Sequence, residues 1–191
     1  MKIILASASP RRRELMKLIT DDFEAVSTDV DETLPEDTPP EFASTYLAGL
    51  KAKAAARLYP DDIVIGCDTV VILGNKILGK PQDEKQCREY LRMLSGKRHT
   101  VMTSCCIIHG ENIDNMCFRN TTVIFRKLSE EDIDWYISTG EPFDKAGGYG
   151  IQGKGALLVN SIQGDYFNVV GLPVSELNIH LKKFIKSLKG E

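Results

Sequence analysis

Seven residues near the start, Ser7-Ala8-Ser9-Pro10-Arg11-Arg12-Arg13, bring two hydroxyls and three guanidinium groups into one short stretch. Unpaired N–H groups at a helix start attract phosphate, and arginine adds charge with bidentate geometry, so this stretch reads as an anion site. Its plainer reading is an N-cap followed by a solvated basic turn. Two carboxylate positions come next: Asp29-Val30-Asp31-Glu32 in an acidic loop, and Gly66-Cys67-Asp68-Thr69 at the end of the most apolar strand. α/β sheets gather active sites at strand ends. An ionised Asp68 in an apolar stretch is expensive unless it is paired or metal-bound. Carboxylates without imidazole or thiolate co-ligands favour a hard cation, Mg²⁺ or Mn²⁺. The plainer readings make Asp68 a turn cap and Glu32 a surface charge. Lys51 sits among alanines near the apolar side of a helix, with Lys53 beside it, and Lys80 is immobilised between Gly79 and Pro81. Dense glycine in Asp144-Lys145-Ala146-Gly147-Gly148-Tyr149-Gly150-Ile151-Gln152-Gly153 permits close backbone approach to a ligand. That segment lacks the strand context of a dinucleotide fingerprint. Together these groups suit a metal-dependent enzyme acting on a polyphosphate.

The elements that must position them follow from periodicity. Lys2 to Ala6 and Phe23 to Ser27 predict strands, and Pro10 opens a helix with Leu15, Leu18 and Ile19 on its apolar face. Asp29 to Pro40 reads as a loop. Phe42, Tyr46, Leu50, Ala54 and Leu58 recur at helical spacing, which predicts an amphipathic helix over 41–58. Ile63 to Cys67 predicts a central strand, and Val70 to Leu73 with Lys76 to Leu78 flank Gly74-Asn75 as a hairpin. Asp83 caps a helix to Leu94, and Ser129 begins another. Long strands over 99–109 and 113–127 surround Gly110. Gly140 to Gly155, rich in glycine, reads as a long ordered loop or a short strand with turns. Ala156 to Val159 and Tyr166 to Val170 predict strands, and Pro173 opens a terminal helix ending near Leu188. Alternating strands and helices, with hairpins in the middle, predict a mixed α/β sheet.

The chain has 191 residues, 42% hydrophobic and 27% charged, which predicts one ordered globular domain. With 24 basic and 27 acidic residues, the net charge of −3 disfavours a general nucleic-acid binder. The five cysteines, Cys67, Cys87, Cys105, Cys106 and Cys117, form no CxxC pair. They read as small reduced core residues rather than a disulfide framework or a thiolate zinc site. The opening apolar stretch is too short for a signal peptide, and no segment suits a membrane span. A cytoplasmic protein is expected.

The motifs Ser7-x-Ser9-Pro10-Arg11-Arg12, Asp31-Glu32, Lys51-Ala52-Lys53-Ala54, Gly66-Cys67-Asp68-Thr69, Leu78-Gly79-Lys80-Pro81, Leu94-Ser95-Gly96 and Asp144 to Gly153 resemble, in order, those of the Maf family. These are septum-formation-inhibitor-like nucleotide pyrophosphatases. The match runs from Ile4 to Pro173, ending on Gly164-Asp165-Tyr166 and Val170-Gly171-Leu172-Pro173. The resemblance implies hydrolysis of a nucleoside triphosphate to a monophosphate and pyrophosphate. Its branch is that of the dTTP/UTP pyrophosphatases. It also implies a divalent metal, a homodimer, and an elongated, twisted mixed sheet flanked by helices around a deep cleft. Residue by residue, it places the catalytic base on Asp68 and specificity on Arg11, Thr69 and Gln152. Phosphate contacts fall on Ser7, Ser9, Arg12, Arg13, Lys51 and Lys80, and metal contacts on Glu32 and Asp68. Cys67 stands where alanine is common, and so does Gly148, which is expected to loosen its loop. The rival function is a nucleotide-binding regulator of septum formation that does not hydrolyse its ligand.

Overall fold

The computed structural model describes residues 1–114 and 119–190. Its strands are β1 (Ile3–Ala6), β2 (Glu24–Val26), β3 (Ile63–Leu73), β4 (Lys76–Leu78), β5 (Arg98–His109), β6 (Asn112–Asp114), β7 (Arg119–Phe125) and β8 (Val159–Gln163). They form a mixed eight-stranded sheet in the order β2-β1-β3-β5-β7-β8, with β4 paired to β3 and β6 to β5. Its helices are α1 (Pro10–Met16), α2 (Pro40–Leu58), α3 (Glu84–Leu94), α4 (Glu130–Ser138), α5 (Tyr166–Val170) and α6 (Val174–Leu188). None of the helices among the described residues is long and apolar enough to cross a membrane.

The chain divides into two compact units. The first holds Met1–Asp68, Thr103–Arg119 and Gly171–Glu191, and the second holds Thr69–Met102 and Asn120–Val170. In the first, β1 pairs in parallel with both β2 and β3. The apolar residues at 42, 46 and 58 do not make the buried side of α2: Phe42, Tyr46 and Leu58 are exposed. Its buried side is Ala43, Ser44, Leu47, Ala48, Ala52 and Ala55. Ala48 and Ala52 pack with Cys106 and Ile108, and Ala55 with Ile4, Ala6 and Val64. Small side chains let the helix lie very close to the sheet. Gly66 on β3 faces this contact, and a Cβ there would sit 2.4 Å from the Ala48 carbonyl oxygen and 2.5 Å from the Ala52 nitrogen. Leu18 is likewise exposed, because α1 ends at Met16.

The second unit has its own core, formed by Leu91 and Leu94 of α3, Val123 and Phe125 of β7, Ile133 and Tyr136 of α4, and Tyr149 and Leu158. Asp83 caps α3 by accepting from the Gln86 N–H at 2.7 Å. Ser129 and Asp132 close a capping box on α4, with Asp132 also held by Arg126. Tyr166–Val170 is a helix, contrary to its strand-like composition. Asp165 Oδ1 accepts from the Phe167 N–H at 2.8 Å. The buried Asn168 amide donates to Val101 O and Thr121 Oγ1, both at 2.9 Å, and these bonds outweigh local propensity. Cys67, Cys87, Cys105 and Cys106 are buried free thiols, burial holding Cys87 and Cys106 up to about 11. Cys117 lies outside the described residues.

His99 is 4% exposed. Its Nε2 lies 2.6 Å from the Tyr149 hydroxyl, its ring stacks edge-on against Phe125 and Tyr149, and its Nδ1 has no hydrogen-bond partner. Burial pushes its pKa down to about 4. An unfolded imidazole titrates near ~6.5, so between these values the unfolded chain binds the extra proton. The contribution is therefore fully present above that window and is lost as pH falls through it, by up to roughly 3 kcal/mol. Urea unfolding at pH 7 and pH 4.5 is expected to show a loss larger by about 2 kcal/mol in the native chain than in His99→Phe. Equal losses contradict this assignment.

Candidate active site

Asp68 is the sixth residue of the eleven-residue β3, well inside the strand rather than at its end. The strand passes straight through the polar position because Lys51 compensates it. Lys51 Nζ donates to Asp68 Oδ1 at 2.6 Å and lies 3.1 Å from Glu32 Oε1. Burial raises the Asp68 pKa above the usual carboxylate value, against the opposing pull of Lys51 and then Arg12. Lys51 reaches the strand from α2 with a side chain only 12% exposed, whereas Glu32 is about half exposed in its loop. Immediately behind Asp68, the Cys67 and Cys105 sulfurs lie 3.2 Å apart.

The basic segment has its own internal hydrogen bonds, with Ser9 as the N-cap of α1. Ser7 Oγ accepts from the Ser9 N–H at 3.3 Å, and Ser9 Oγ accepts from the Arg12 N–H at 3.4 Å. Both hydroxyl oxygens act as acceptors in these bonds, so their O–H groups remain donors beside the guanidinium groups. Arg12 is anchored by Nε donating to Gly171 O at 2.8 Å and Nη1 to Ser7 Oγ at 3.4 Å. Arg11 is half-buried and Arg13 exposed.

In the second unit, Thr69 follows Asp68 on β3 and is half-buried, as is Gln152, whereas Lys80 is exposed. The turn that carries Lys80 is tied to the glycine-rich stretch by the Gly147 N–H donating to Gly79 O at 2.9 Å. That stretch contains short 3-10 segments at Glu141–Asp144, Ala146–Gly148 and Gly153–Leu158. Gly148 has φ of +69°, and a Cβ on it would lie 3.3 Å from Cys87 Sγ. Its N–H donates to Lys145 O at 3.0 Å. Sequence reasoning missed Glu141 and His99, which hold this loop, because nothing in their local spacing marks them; the partner of His99, Tyr149, lies within the glycine-rich motif.

The model of Maf-like proteins matches residues 2–184. The chain belongs to the Maf family. This Maf protein is 49% identical over 183 residues to the dTTP/UTP pyrophosphatase of Bacillus cereus, covering 96% of this chain and 95% of that one. It is 48% identical over 185 residues to the dTTP/UTP pyrophosphatase of Clostridioides difficile, with the same coverage. Two solved structures share its fold at much lower identity. A HAM1 protein from Coxiella burnetii superposes with a TM-score of 0.52 at 12% identity, covering 96% of this chain and 99% of that chain. Protein VC0702 from Vibrio cholerae superposes with a TM-score of 0.50 at 11% identity, covering 98% and 97%. The mixed α/β sheet expected from the sequence is thus shared with both.

The donor set at Asp68 suits a particular kind of cation. No group of three or more His, Cys, Asp or Glu residues gathers among the described residues. A cation here would have carboxylate oxygens of Asp68 and Glu32 as its protein ligands, on either side of the Lys51 ammonium group. That fits Mg²⁺ or Mn²⁺, which take few protein ligands and complete their shell with water and phosphate.

Proposed function

We propose that this Maf protein hydrolyses dTTP and UTP to the monophosphate and pyrophosphate, with Mg²⁺ or Mn²⁺ as cofactor. The observation that carries the reading is the buried Asp68 held by Lys51, with Glu32 at the exposed side of the same lysine, in a chain about half identical to proteins named for that activity. A non-hydrolysing regulator is not favoured beside those relatives, and has no need of a buried carboxylate held by lysine. On the family resemblance, the working protein is a cytoplasmic homodimer.

Water attacks the α-phosphorus and the bond from that phosphorus to the bridging oxygen breaks. Pyrophosphate departs with the bond's electron pair, and the water proton passes to Asp68. Asp68 accepts that proton as general base, or orients the water where a bound metal acidifies it. Glu32 and Asp68 would hold the metal, which screens phosphate charge and acidifies water when bound. On the family resemblance, Ser7, Ser9, Arg12, Arg13, Lys51 and Lys80 contact the phosphates, and the basic groups neutralise the triphosphate. Charge screening matters because a polyanion repels both water oxygen and hydroxide.

On the family resemblance, base choice falls to Gln152, Thr69 and Arg11. Uracil and thymine present an acceptor, a donor and an acceptor on one edge, and a glutamine amide supplies one donor and one acceptor. Thr69 or Arg11 donates to the remaining carbonyl. Cytosine places an amino group where that donor is aimed, leaving a pair of donors unsatisfied. Gln152→Glu is expected to lower kcat/KM for UTP and dTTP at least about tenfold, since one lost donor in a desolvated site costs on the order of 1–3 kcal/mol. Its melting curve stays close to that of the parent. Unchanged turnover of both nucleotides contradicts the pairing. The function itself is tested on a panel of triphosphates with Mg²⁺ or Mn²⁺. Fastest turnover of dTTP and UTP supports it, and binding without turnover of any nucleotide overturns it.

A further inference from the structure

Gln152 occupies the N-cap position of the 3-10 segment Gly153–Leu158, yet its own side chain makes no cap hydrogen bond. The N–H groups left over at the start of a helical segment normally recruit the cap residue's side chain. Here a distant carboxylate takes them. Glu141 Oε1 and Oε2 both lie 3.1 Å from the Lys154 N–H, and Oε2 lies 3.3 Å from the Gly155 N–H. These are the two amides an N-cap side chain would serve.

The surroundings are shaped for this substitute cap. Gly153 has φ of +66°, and a Cβ there would lie 2.9 Å from Glu141 Oε1. A Cβ on Gly155 would lie 2.1 Å from Gly150 O and 2.7 Å from the Tyr136 hydroxyl, the same hydroxyl that accepts from the Gly150 N–H at 3.2 Å. Glycines at 150, 153 and 155 thus let the strip that carries Gln152 fold tightly around the carboxylate. Glu141 is itself held, its N–H donating to Thr139 Oγ1 at 3.2 Å and its carbonyl accepting from Lys145 Nζ.

We propose that Glu141 is a positioning residue for pyrimidine recognition: by capping the Gly153–Leu158 segment from outside, it fixes the backbone around Gln152 and keeps the Gln152 amide available to the base. The inference rests on the reading of Gln152 as the base-recognising residue. Without the Glu141 carboxylate, the Lys154 and Gly155 amides lose their acceptor, and the Gln152 side-chain carbonyl, at the N-cap position, has the place in the chain from which such amides are normally capped. A glutamine turned back onto its own helix no longer offers its acceptor to the N3–H of uracil.

The test measures kcat and KM for UTP and CTP in Glu141→Ala, Glu141→Gln, Gln152→Ala and the double variant, each checked for folding by circular dichroism. Glu141→Ala is expected to raise KM for UTP about tenfold, with kcat within about threefold, and to reduce the preference for UTP over CTP by a similar factor. Glu141→Gln, which retains one carbonyl acceptor, restores most of that preference. The double variant matches Gln152→Ala, because a residue that acts through Gln152 has nothing left to act on. Where Glu141→Ala does not fold, Glu141→Asp carries the same comparison, keeping the charge and withdrawing it by one methylene. A normal UTP preference in Glu141→Ala beside a lost one in Gln152→Ala overturns this inference alone, as do losses that multiply in the double variant. A normal preference in Gln152→Ala overturns the base reading and the inference with it.

Discussion

Asp68→Asn lowers kcat for UTP at least about 10²-fold, the usual scale for loss of a general base, while the chain stays folded. The second half of this result follows from electrostatics. Asp68 has its pKa raised, so burial penalises its ionised form by more than Lys51 and Arg12 recover. Asparagine keeps the shape and removes the charge that burial penalises. Lys51 is not stranded by the change, because Glu32 Oε1 remains 3.1 Å from its Nζ. The melting temperature of Asp68→Asn is therefore expected to equal or exceed that of the native chain, a site where function is kept at some expense of stability. Turnover measured beside a thermal melt separates the outcomes. Near-native kcat removes Asp68 from the role of base, and a collapsed melt shows that the carboxylate holds the fold.

Gly66→Ala tests the packing that brings Lys51 to Asp68. The added methyl would lie 2.4 Å from Ala48 O, 2.5 Å from Ala52 N and 2.8 Å from Ala52 Cβ. Two of those neighbours are backbone atoms of α2, so no side-chain rotation relieves the clash and the helix must lift from the sheet. Overpacking of this kind costs about 3 kcal/mol, or roughly 10 °C in Tm for a chain of this size. Because Lys51 rides on the same helix, kcat falls as well, even at temperatures where the variant is folded. A variant with native Tm and native kcat would show that α2 does not need its close approach at Gly66.

The same contact explains what was legible in the sequence and what was not. Alternating strands and helices, the caps at Asp83 and Ser129, and the hairpin at Gly74-Asn75 announce themselves through local chemistry, and each is present. The buried side of α2 did not, because hydrophobicity points to Phe42, Tyr46 and Leu58, whereas the sheet accepts alanine. Lys51 next to that alanine side was the useful anomaly, a cation where solvent was not expected. Asp68 signals its importance by interrupting an apolar run, but read from sequence the strand ends where the run does. The partner that lets β3 continue, Lys51, is remote in sequence. Tyr166–Val170 misleads for a related reason, since its helix depends on the long-range bonds of Asn168. Glu141 was invisible, because its role exists only once residues 154 and 155 fold back onto it.

The central claim is hydrolysis at the α-phosphorus of a pyrimidine triphosphate. Its most direct test is UTP turnover with Mg²⁺ or Mn²⁺ in ¹⁸O-labelled water, followed by mass analysis of the products. The account predicts UMP and pyrophosphate, with the label in UMP and none in pyrophosphate. Label in pyrophosphate, or release of UDP and orthophosphate, would contradict it.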